Sequence, residues 1–568
     1  MKARSLPGFR AAFAAALATA ALTAAALCCA GCIQEIDLSD KYINEAVGLL
    51  RVENTSAGDS YYFKGFELKN EAGGVVRAWE GLALGKGETW TGDVDREGLY
   101  TLYCTVRDDA EEAEELYEYG EVEIKLHQVT GLGIAGEACL TASDRDGDGF
   151  SDTWETRNGF NPDDPADGDA VYVSSTAQDD GGRGTAASPY KTLAKGVWKA
   201  RSGLSEAART VMVVGELNRD YGNVGSDTSV FYIADTGPRG VTISGHGSTS
   251  ALDAQSKNSD WKRVLYLGPG TKLTLENITI KNGYAFWGAG VHVNGAELTL
   301  GPGTKIQHCT SSGGMLSGAA IYASNGAAIV MENGSLIGGG NDSERNTAIN
   351  GEAGAVGLDI GSSLTMKNGS LIQGNFTNWG GAVSADLGSL VTLEQGALIT
   401  GNNSNQDGGK SGNINHGGGV RLTGKSKLLM TGGSITLNTV KTGGGGAGVY
   451  VGPESVLDLR SGEISGNKTE TTTTNGVTYI GDGGGVYVDS GGIFLMSGGV
   501  VAKNTAKGKG GGVYVSGGSF AMTGGTVYGS GDSNENKAET GNAKKGHALF
   551  VASPDNAVDG TLSGSFTL

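Results

Sequence analysis

From about residue 261 onward the chain repeats itself, and this repeat limits its fold more than any other feature. A Gly-rich step leads into an apolar–x–apolar strand and a Gly or Ser corner. A second short strand with alternating Leu, Met or Phe follows, then a third segment ending in Gly-Asn or similar. One copy runs Gly485-Val486-Tyr487-Val488, Phe494-Leu495-Met496 and Val501-Ala502-Lys503-Asn504. The first strand residue recurs at Val291, Ile321, Leu358, Val383, Val420, Val449, Val486, Val513 and Leu549, at intervals between 25 and 37 residues. Self-similarity on this scale means a solenoid, propeller or array. Three short strands per unit with glycine at the corners fit a three-faced parallel β-helix. A propeller blade needs hairpins and a longer unit. Strict hexapeptides and the GGxGxD nonapeptide are both absent.

Composition agrees. Glycine accounts for 99 of 568 residues and proline for only 9, so the richness is in corners rather than in a disordered Pro/Gly tract. The net charge of −19 would repel nucleic acid and anionic lipid and attract cations, so no nucleic-acid partner is expected.

The intervals alternate short and long. The long units carry polar loops at Gly401–His416, Gly466–Gly481 and Gly529–Lys545, which predicts a fringe along one edge of the solenoid. Asn375, Asn402, Asn438, Asn467 and Asn504 recur at the end of the third strand. Stacked inward, they can bond the turn backbone coil after coil.

Upstream, Val171–Ser175, Asp179-Asp180-Gly181-Gly182 and Ser188–Ala194 resemble the leading segment of right-handed parallel β-helix proteins, where a strand, a Gly/Asp loop and a capping helix cover the first coil. Ser188 is the expected N-cap, with Pro189 at the first helical position. Tyr190, Leu193, Ala194, Val197 and Trp198 then share one face, which would close the open end of the solenoid. The fold class expected is therefore all-β: a right-handed parallel β-helix over 171–568, with three strands per coil. A small antiparallel β-sandwich-like domain at 41–140 precedes it. That domain is read from short alternating runs at Leu49–Val52, Tyr61–Leu68, Tyr100–Val106 and Val122–Leu126. Trp79 and Trp90 fit half-buried strand positions better than a sugar platform. Asp108–Glu115 reads as a solvated acidic loop. Cys104 and Cys139 fit either a disulfide or two separate buried thiols.

Two segments are addresses or joints. Lys2, Arg4 and Arg10 precede an apolar run from Ala11 to Leu27 and then Cys28-Cys29-Ala30-Gly31-Cys32, the layout of a secretory signal. Ala-Gly-Cys resembles the lipobox of bacterial lipoproteins, although Cys29 stands where that family has Leu. The resemblance implies a signal peptide over 1–31, lipidation at Cys32 and a tether over 32–40. It also implies a membrane partner through the lipid, and location in the cell envelope at the outer membrane or cell surface. No later stretch reaches the ~18 apolar residues of a membrane span.

Within the 141–170 linker, Asp144, Asp146, Asp148, Gly149, Phe150, Asp152 and Glu155 fit the D-x-[DN]-x-[DN]-G-x5-E calcium loop. Alternating carboxylates converge on one ion, Phe150 offers its carbonyl, Asp152 acts through water and Glu155 closes the shell. The cofactor expected is structural calcium, stiffening a joint.

Glycine steps such as Gly380-Gly381-Ala382-Val383, with Ile435-x-x-Asn438 and Ile464-x-x-Asn467, are similar to the GGA[ILV] and FxxN repeats of polymorphic outer-membrane proteins. Ile replaces Phe before the Asn. That resemblance implies a surface-exposed, adhesive β-helix. Polysaccharide lyases and glycosidases share the fold, and Gly245-His246-Gly247 matches a polygalacturonase GHG. The remaining catalytic partners of that set are absent, so His246 reads as a turn residue.

The middle residue of the first strand points outward, and that column reads His292, Tyr322, Asp359, Ser384, Arg421, Tyr450, Tyr487, Tyr514 and Phe550. Of these, Tyr322, Asp359, Arg421, Tyr450, Tyr487, Tyr514 and Phe550 are the candidate ligand contacts. Such a ladder can bind sugar rings or an extended peptide, or its rings can stack on one another and stabilise the sheet, which is the commoner use. The functional expectation is non-catalytic surface binding or adhesion with a glycan or protein ligand. The alternative is a β-helix polysaccharide lyase or glycoside hydrolase.

Overall fold

The computed structural model describes residues 48–134 and 170–566, apart from 57–60, 71–74, 95–97, 109–112, 125–128, 204, 219–228, 238, 257–260, 315, 405–415, 442, 475, 540–545 and 553–564. Cys32, Cys139 and the calcium-loop residues Asp144, Asp146, Asp148, Phe150, Asp152 and Glu155 lie outside the described residues. The chain divides into two compact units, Met1–Cys139 and Leu140–Leu568. Among the described residues no helix is long and apolar enough to cross a membrane.

The first unit has two sheets. Strands β1 (Gly48–Asn54), β4 (Thr89–Val94) and β7 (Val129–Ile134) form one, in the order β4-β1-β7. Strands β2 (Tyr61–Lys69), β3 (Val75–Trp79), β5 (Gly98–Asp108) and β6 (Ala113–Ile124) form the other, in the order β3-β2-β5-β6. The sheets meet where the Phe66 ring on β2 lies 5.0 Å from Trp90 on β4. Alternation puts Leu50, Val52, Phe63, Phe66, Leu68, Leu102 and Cys104 in the core. Trp79 and Trp90 are half-buried edge to face, with centroids 4.9 Å apart. Two expectations need correction. The pairing is not wholly antiparallel, because β1 and β7 run parallel. The acidic run is not simply a loop, because Glu114 and Glu115 pair with Arg107 and Val106 in the β5–β6 ladder.

The second unit is a parallel β-helix. Its first face stacks eleven strands from Ser229–Ile233 to Leu549–Val551. Two further faces, running from Val171–Ser174 and Glu216–Leu217, join into one 22-stranded sheet. The cause is that Lys427–Thr436 and Val456–Ser465 each pass through the corner unbroken. A fourth ladder of nine two-residue strands, from Tyr284–Ala285 to Lys537–Ala538, was not expected. It is too short, and too polar in sequence, to show a period. Coils therefore carry four strand segments rather than three. Inward residues of the first face, such as Val291, Ile321, Val356, Val383, Val420 and Val449, are fully buried in register. The repeat position assigned to Leu358 belongs to Val356, which pairs with Ile321 and Val383; Val356-Gly357-Leu358 and Leu358-Asp359-Ile360 both fit the apolar–x–apolar pattern, and the first is the one in register.

The asparagine ladder is present and longer than expected. Asn346, Asn375, Asn402, Asn438, Asn467, Asn504 and Asn536 are all buried. Each Nδ2 from Asn346 to Asn504 donates to the next Oδ1 at 2.9–3.0 Å. From Asn375 to Asn504 the backbone N–H donates to the same oxygen. Cys309 holds this position one coil earlier, its N–H donating to Asn346 Oδ1 at 3.0 Å. Burial pushes its thiol up to about 12, so it is not a nucleophile.

The cap over the first coil is α1 (Leu193–Ala200). Its N-cap is Thr192, not Ser188, and Thr192 accepts from Lys195 N–H. The reason is that Tyr190 is strand-like, bonded through its backbone to Tyr172 and Ser174. Asp180 fixes the start by accepting from Lys191 N–H, Thr192 N–H and Thr192 Oγ1 at 2.6–2.8 Å. The buried face carries Leu193, Gly196, Val197 and Ala200, while Ala194 is exposed and Trp198 half-buried. Gly196 is required because a Cβ there would fall within 2.5 Å of Val173.

The expected common fringe is divided. Thr471–Thr474 and Val477–Ile480 form an antiparallel hairpin before the first face. The Gly529–Glu535 turn instead precedes Asn536, at another corner.

Candidate functional site

Strand register defines the outward column of the first face as Tyr232, Tyr266, His292, Tyr322, Gly357, Ser384, Arg421, Tyr450, Tyr487, Tyr514 and Phe550. Asp359 is not a member. Gly357, which pairs with Tyr322 and Ser384, takes its place, and Asp359 stands in the following turn. There its Oδ2 accepts from the Tyr322 hydroxyl at 2.7 Å. Asp489 accepts from Tyr450 in the same way at 2.6 Å.

The column thus holds two aromatic runs. In the first, Tyr232 and Tyr266 stack at 5.0 Å, and Tyr266–His292 and His292–Tyr322 follow at 5.0 and 5.1 Å. In the second, Tyr450–Tyr487, Tyr487–Tyr514 and Tyr514–Phe550 lie 5.7, 5.0 and 5.6 Å apart. Gly357, Ser384 and Arg421 separate them.

The second run is not the open surface expected. Tyr450 is 6 % exposed and Tyr514 9 % exposed. The residue four or five positions before each strand lies over the column of a later coil. His416 stacks on Tyr450 at 4.5 Å, its Nδ1 accepting from Gly445 N–H at 3.1 Å. The Gly445 backbone presses on the Tyr487 ring, where any Cβ would collide. Lys509 Nζ sits 4.6 Å from the Phe550 centroid. The Leu316 carbonyl covers Gly357. Ser384 donates to the Glu352 carbonyl at 2.6 Å, and Arg421 pairs with the Glu352 carboxylate at 2.9 Å. Burial holds the Tyr322, Tyr450, Tyr487 and Tyr514 phenols above their ordinary range, Tyr514 at about 12. Burial, reinforced by Arg421, pulls His416 down to about 4, so it is neutral at physiological pH. Burial also raises the Glu352 carboxyl, against Arg421, with Asp386 adding to the rise.

Over the first run the equivalent position is aromatic and open. Trp287 lies 6.2 Å from Tyr322 and 6.0 Å from Phe286, and Phe286 stacks on Trp261 at 4.3 Å. Trp261, Phe286 and Trp287 are 38, 54 and 47 % exposed. The sequence reading missed all three, together with Tyr232, Tyr266 and Glu352. The available signal was Tyr284-Ala285-Phe286-Trp287, three aromatics just before a strand. His246 is an exposed turn residue, as read. Among the described residues no group of three His, Cys, Asp or Glu side chains is arranged to hold a metal ion.

The chain matches no protein-family model, no curated protein and no solved structure.

Proposed function

We propose that this is an exported cell-envelope protein, anchored by lipid at Cys32 and displaying its β-helix at the outer membrane or cell surface to bind a glycan or protein ligand without chemical conversion. The observation that carries this is the open cluster of Trp261, Phe286 and Trp287 on a rigid parallel scaffold. Large rings left in water mark interaction sites. Resemblance to the repeats of polymorphic outer-membrane proteins supports the same reading. Calcium at Asp144, Asp146, Asp148, Phe150, Asp152 and Glu155 stiffens the joint before the solenoid.

The test is incubation of the full chain, with calcium, against neutral and acidic polysaccharides. Sedimentation scores binding and mass spectrometry scores new chain ends. Binding without cleavage is expected, and cleavage of any member would overturn the non-catalytic reading. One observation favours that second reading. Glu352, with its raised carboxyl, lies between the two aromatic runs beside Arg421 and near Asp386, where a general acid for glycoside cleavage would be placed. If cleavage is seen, Glu352→Gln should abolish it. Calorimetry should detect one calcium site that Asp146→Ala removes.

A further inference from the structure

We infer that Trp261, Phe286 and Trp287 form a binding platform for a neutral oligosaccharide, with Arg263 as its positioning residue. The inference rests on the surface-binding reading and names its site and ligand class.

The platform is built rather than left over. Arg263 is buried at the start of a first-face strand. Its Nε donates to the Gly288 carbonyl at 3.0 Å, its Nη2 to the Trp287 carbonyl at 3.0 Å and its Nη1 to Ser229 Oγ at 3.0 Å. A fixed guanidinium fork thus holds the backbone that carries Trp287. From the next coil, Gly313 N–H donates to the Phe286 carbonyl at 3.0 Å. Gly313 must lack a side chain, since a Cβ there would collide with that carbonyl, and Gly314 beside it faces open space. The rings also fix one another, Trp261 on Phe286 at 4.3 Å and 19°. Little conformational entropy remains to be lost on binding.

Size and charge choose the occupant. Three aromatic side chains of 150–250 Å² each, about half exposed, present roughly 300 Å². A stable protein interface needs about 800 Å² from each partner. The patch is too small for a second folded chain and suits a few stacked sugar rings. Beside it Gly314 and Asn350 are exposed and uncharged, offering backbone and amide groups, and Lys262, next to Trp261, is exposed and cationic. The chain's charge of −19 disfavours uronate or sulfated polymers. Trp261 precedes one coil, Phe286 and Trp287 precede the next, and Tyr322 lies on the coil after that. The rings therefore follow the solenoid axis at a spacing of about 4.8 Å per coil, as an extended glycan would.

The experiment is calorimetric titration of the full chain with neutral hexose and pentose oligosaccharides, with oligogalacturonate as the anionic comparator. Far-UV circular dichroism checks each variant's fold. Trp261→Ala and Trp287→Ala should each weaken neutral-glycan binding about tenfold, and the double variant should lose it. Tyr487→Ala, under its glycine roof, should change the affinity less than about twofold. Arg263→Lys cannot make the fork, so it should loosen the Trp287 backbone and weaken binding, read as greater acrylamide quenching of tryptophan fluorescence with an unchanged far-UV spectrum. A folded double variant that binds as tightly as the parent would overturn the site while leaving surface binding intact. Preference for oligogalacturonate, or no binding to any neutral glycan, would overturn the ligand class.

Discussion

The two ends of the solenoid use the same outward column in opposite ways. Toward the N-terminal end, Tyr232 to Tyr322 is continued by open rings at Trp261, Phe286 and Trp287. Toward the C-terminal end, Tyr450 to Phe550 is roofed by His416, Gly445 and Lys509. The strands themselves barely differ. What differs is the residue four places before each strand: Trp287 at one end, but His416, Gly445 and Lys509 at the other. Glycine there lets backbone lie on a ring, whereas an indole there must face water. The inner corner changes in parallel. Gly283 and Cys309 hold the ladder position in the early coils, and asparagine holds it from Asn346 to Asn536. The C-terminal coils are locked inside and closed outside. Exposed aromatic surface is concentrated where the lock has not yet begun.

Breaking the lock should give the largest effect. Asn467 Oδ1 accepts from Asn438 N–H and Nδ2, and Asn467 Nδ2 donates to Ile435 O and Asn504 Oδ1. Asn467→Leu leaves several buried polar groups unpaired at once. A loss of about 3–5 kcal/mol is expected from urea unfolding. Cys309→Ala, at the same position before the lock, should cost only about 1–2 kcal/mol. Equal losses would mean that the asparagine chain adds nothing beyond filling space.

The roof should respond to acid. His416 is held at about 4 in the folded chain, below its ordinary 6.5. Between those values the unfolded chain binds more protons, so stability falls as pH drops through that window. His416 contributes nothing to this slope above it. The full effect is roughly 3 kcal/mol, reached below about pH 4. Protonation also removes the acceptor for Gly445 N–H. Hydrogen exchange should therefore show Gly445 and the Tyr450 strand opening as pH falls from 6.5 to 4, while the Tyr266 strand remains protected. His416→Phe keeps a ring over Tyr450 and should abolish the acid response. An unchanged response in that variant would place the sensor elsewhere.

Legibility followed periodicity. The stacking of Val420, Val449, Val486 and Val513 repeats strictly and was readable, as were Asn375 to Asn504. Asn346 and Asn536 were missed because the insertions Gly339–Arg345 and Gly529–Glu535 separate them from their strands. Asp359 was misassigned because Val356-Gly357-Leu358 and Leu358-Asp359-Ile360 carry the same apolar–x–apolar pattern two residues apart, and only the pairing with Ile321 chooses between them. Capping chemistry at Ser188-Pro189 was sound locally, but it yielded to the Tyr190 pairing with Val173. The roof was illegible because it depends on contacts between one coil and a later one, which no single repeat encodes. The open platform escaped for the opposite reason. Trp261, Phe286 and Trp287 lie outside the repeating strands, where a period cannot mark them.

The smallest expected effect concerns the corner after the first face, where the two regions also part. Asn325 turns this corner at φ 58°, a conformation asparagine tolerates. On the next coil Ile360 takes φ 44°, and on the one after it Leu387 takes φ 47°. Both are exposed, so no burial offsets the clash between Cβ and the following carbonyl. Asn325 Nδ2 donates to Asn294 Oδ1 at 2.6 Å, but the bonds between successive corners are backbone ones, Gly326 N–H to Ile360 O and Gly361 N–H to Leu387 O, both at 2.9 Å. They survive any side chain. Ile360→Asn copies the corner one coil upstream and should raise stability by about 1 kcal/mol in urea unfolding. Strain relief predicts that Leu387→Asn gives a similar gain, and Asn325→Ile a larger loss because the bond to Asn294 goes with it. If Ile360→Asn were instead destabilising, the exposed isoleucine would be held by a contact outside its own coil, and the corner would join the platform as a surface to be probed for a partner.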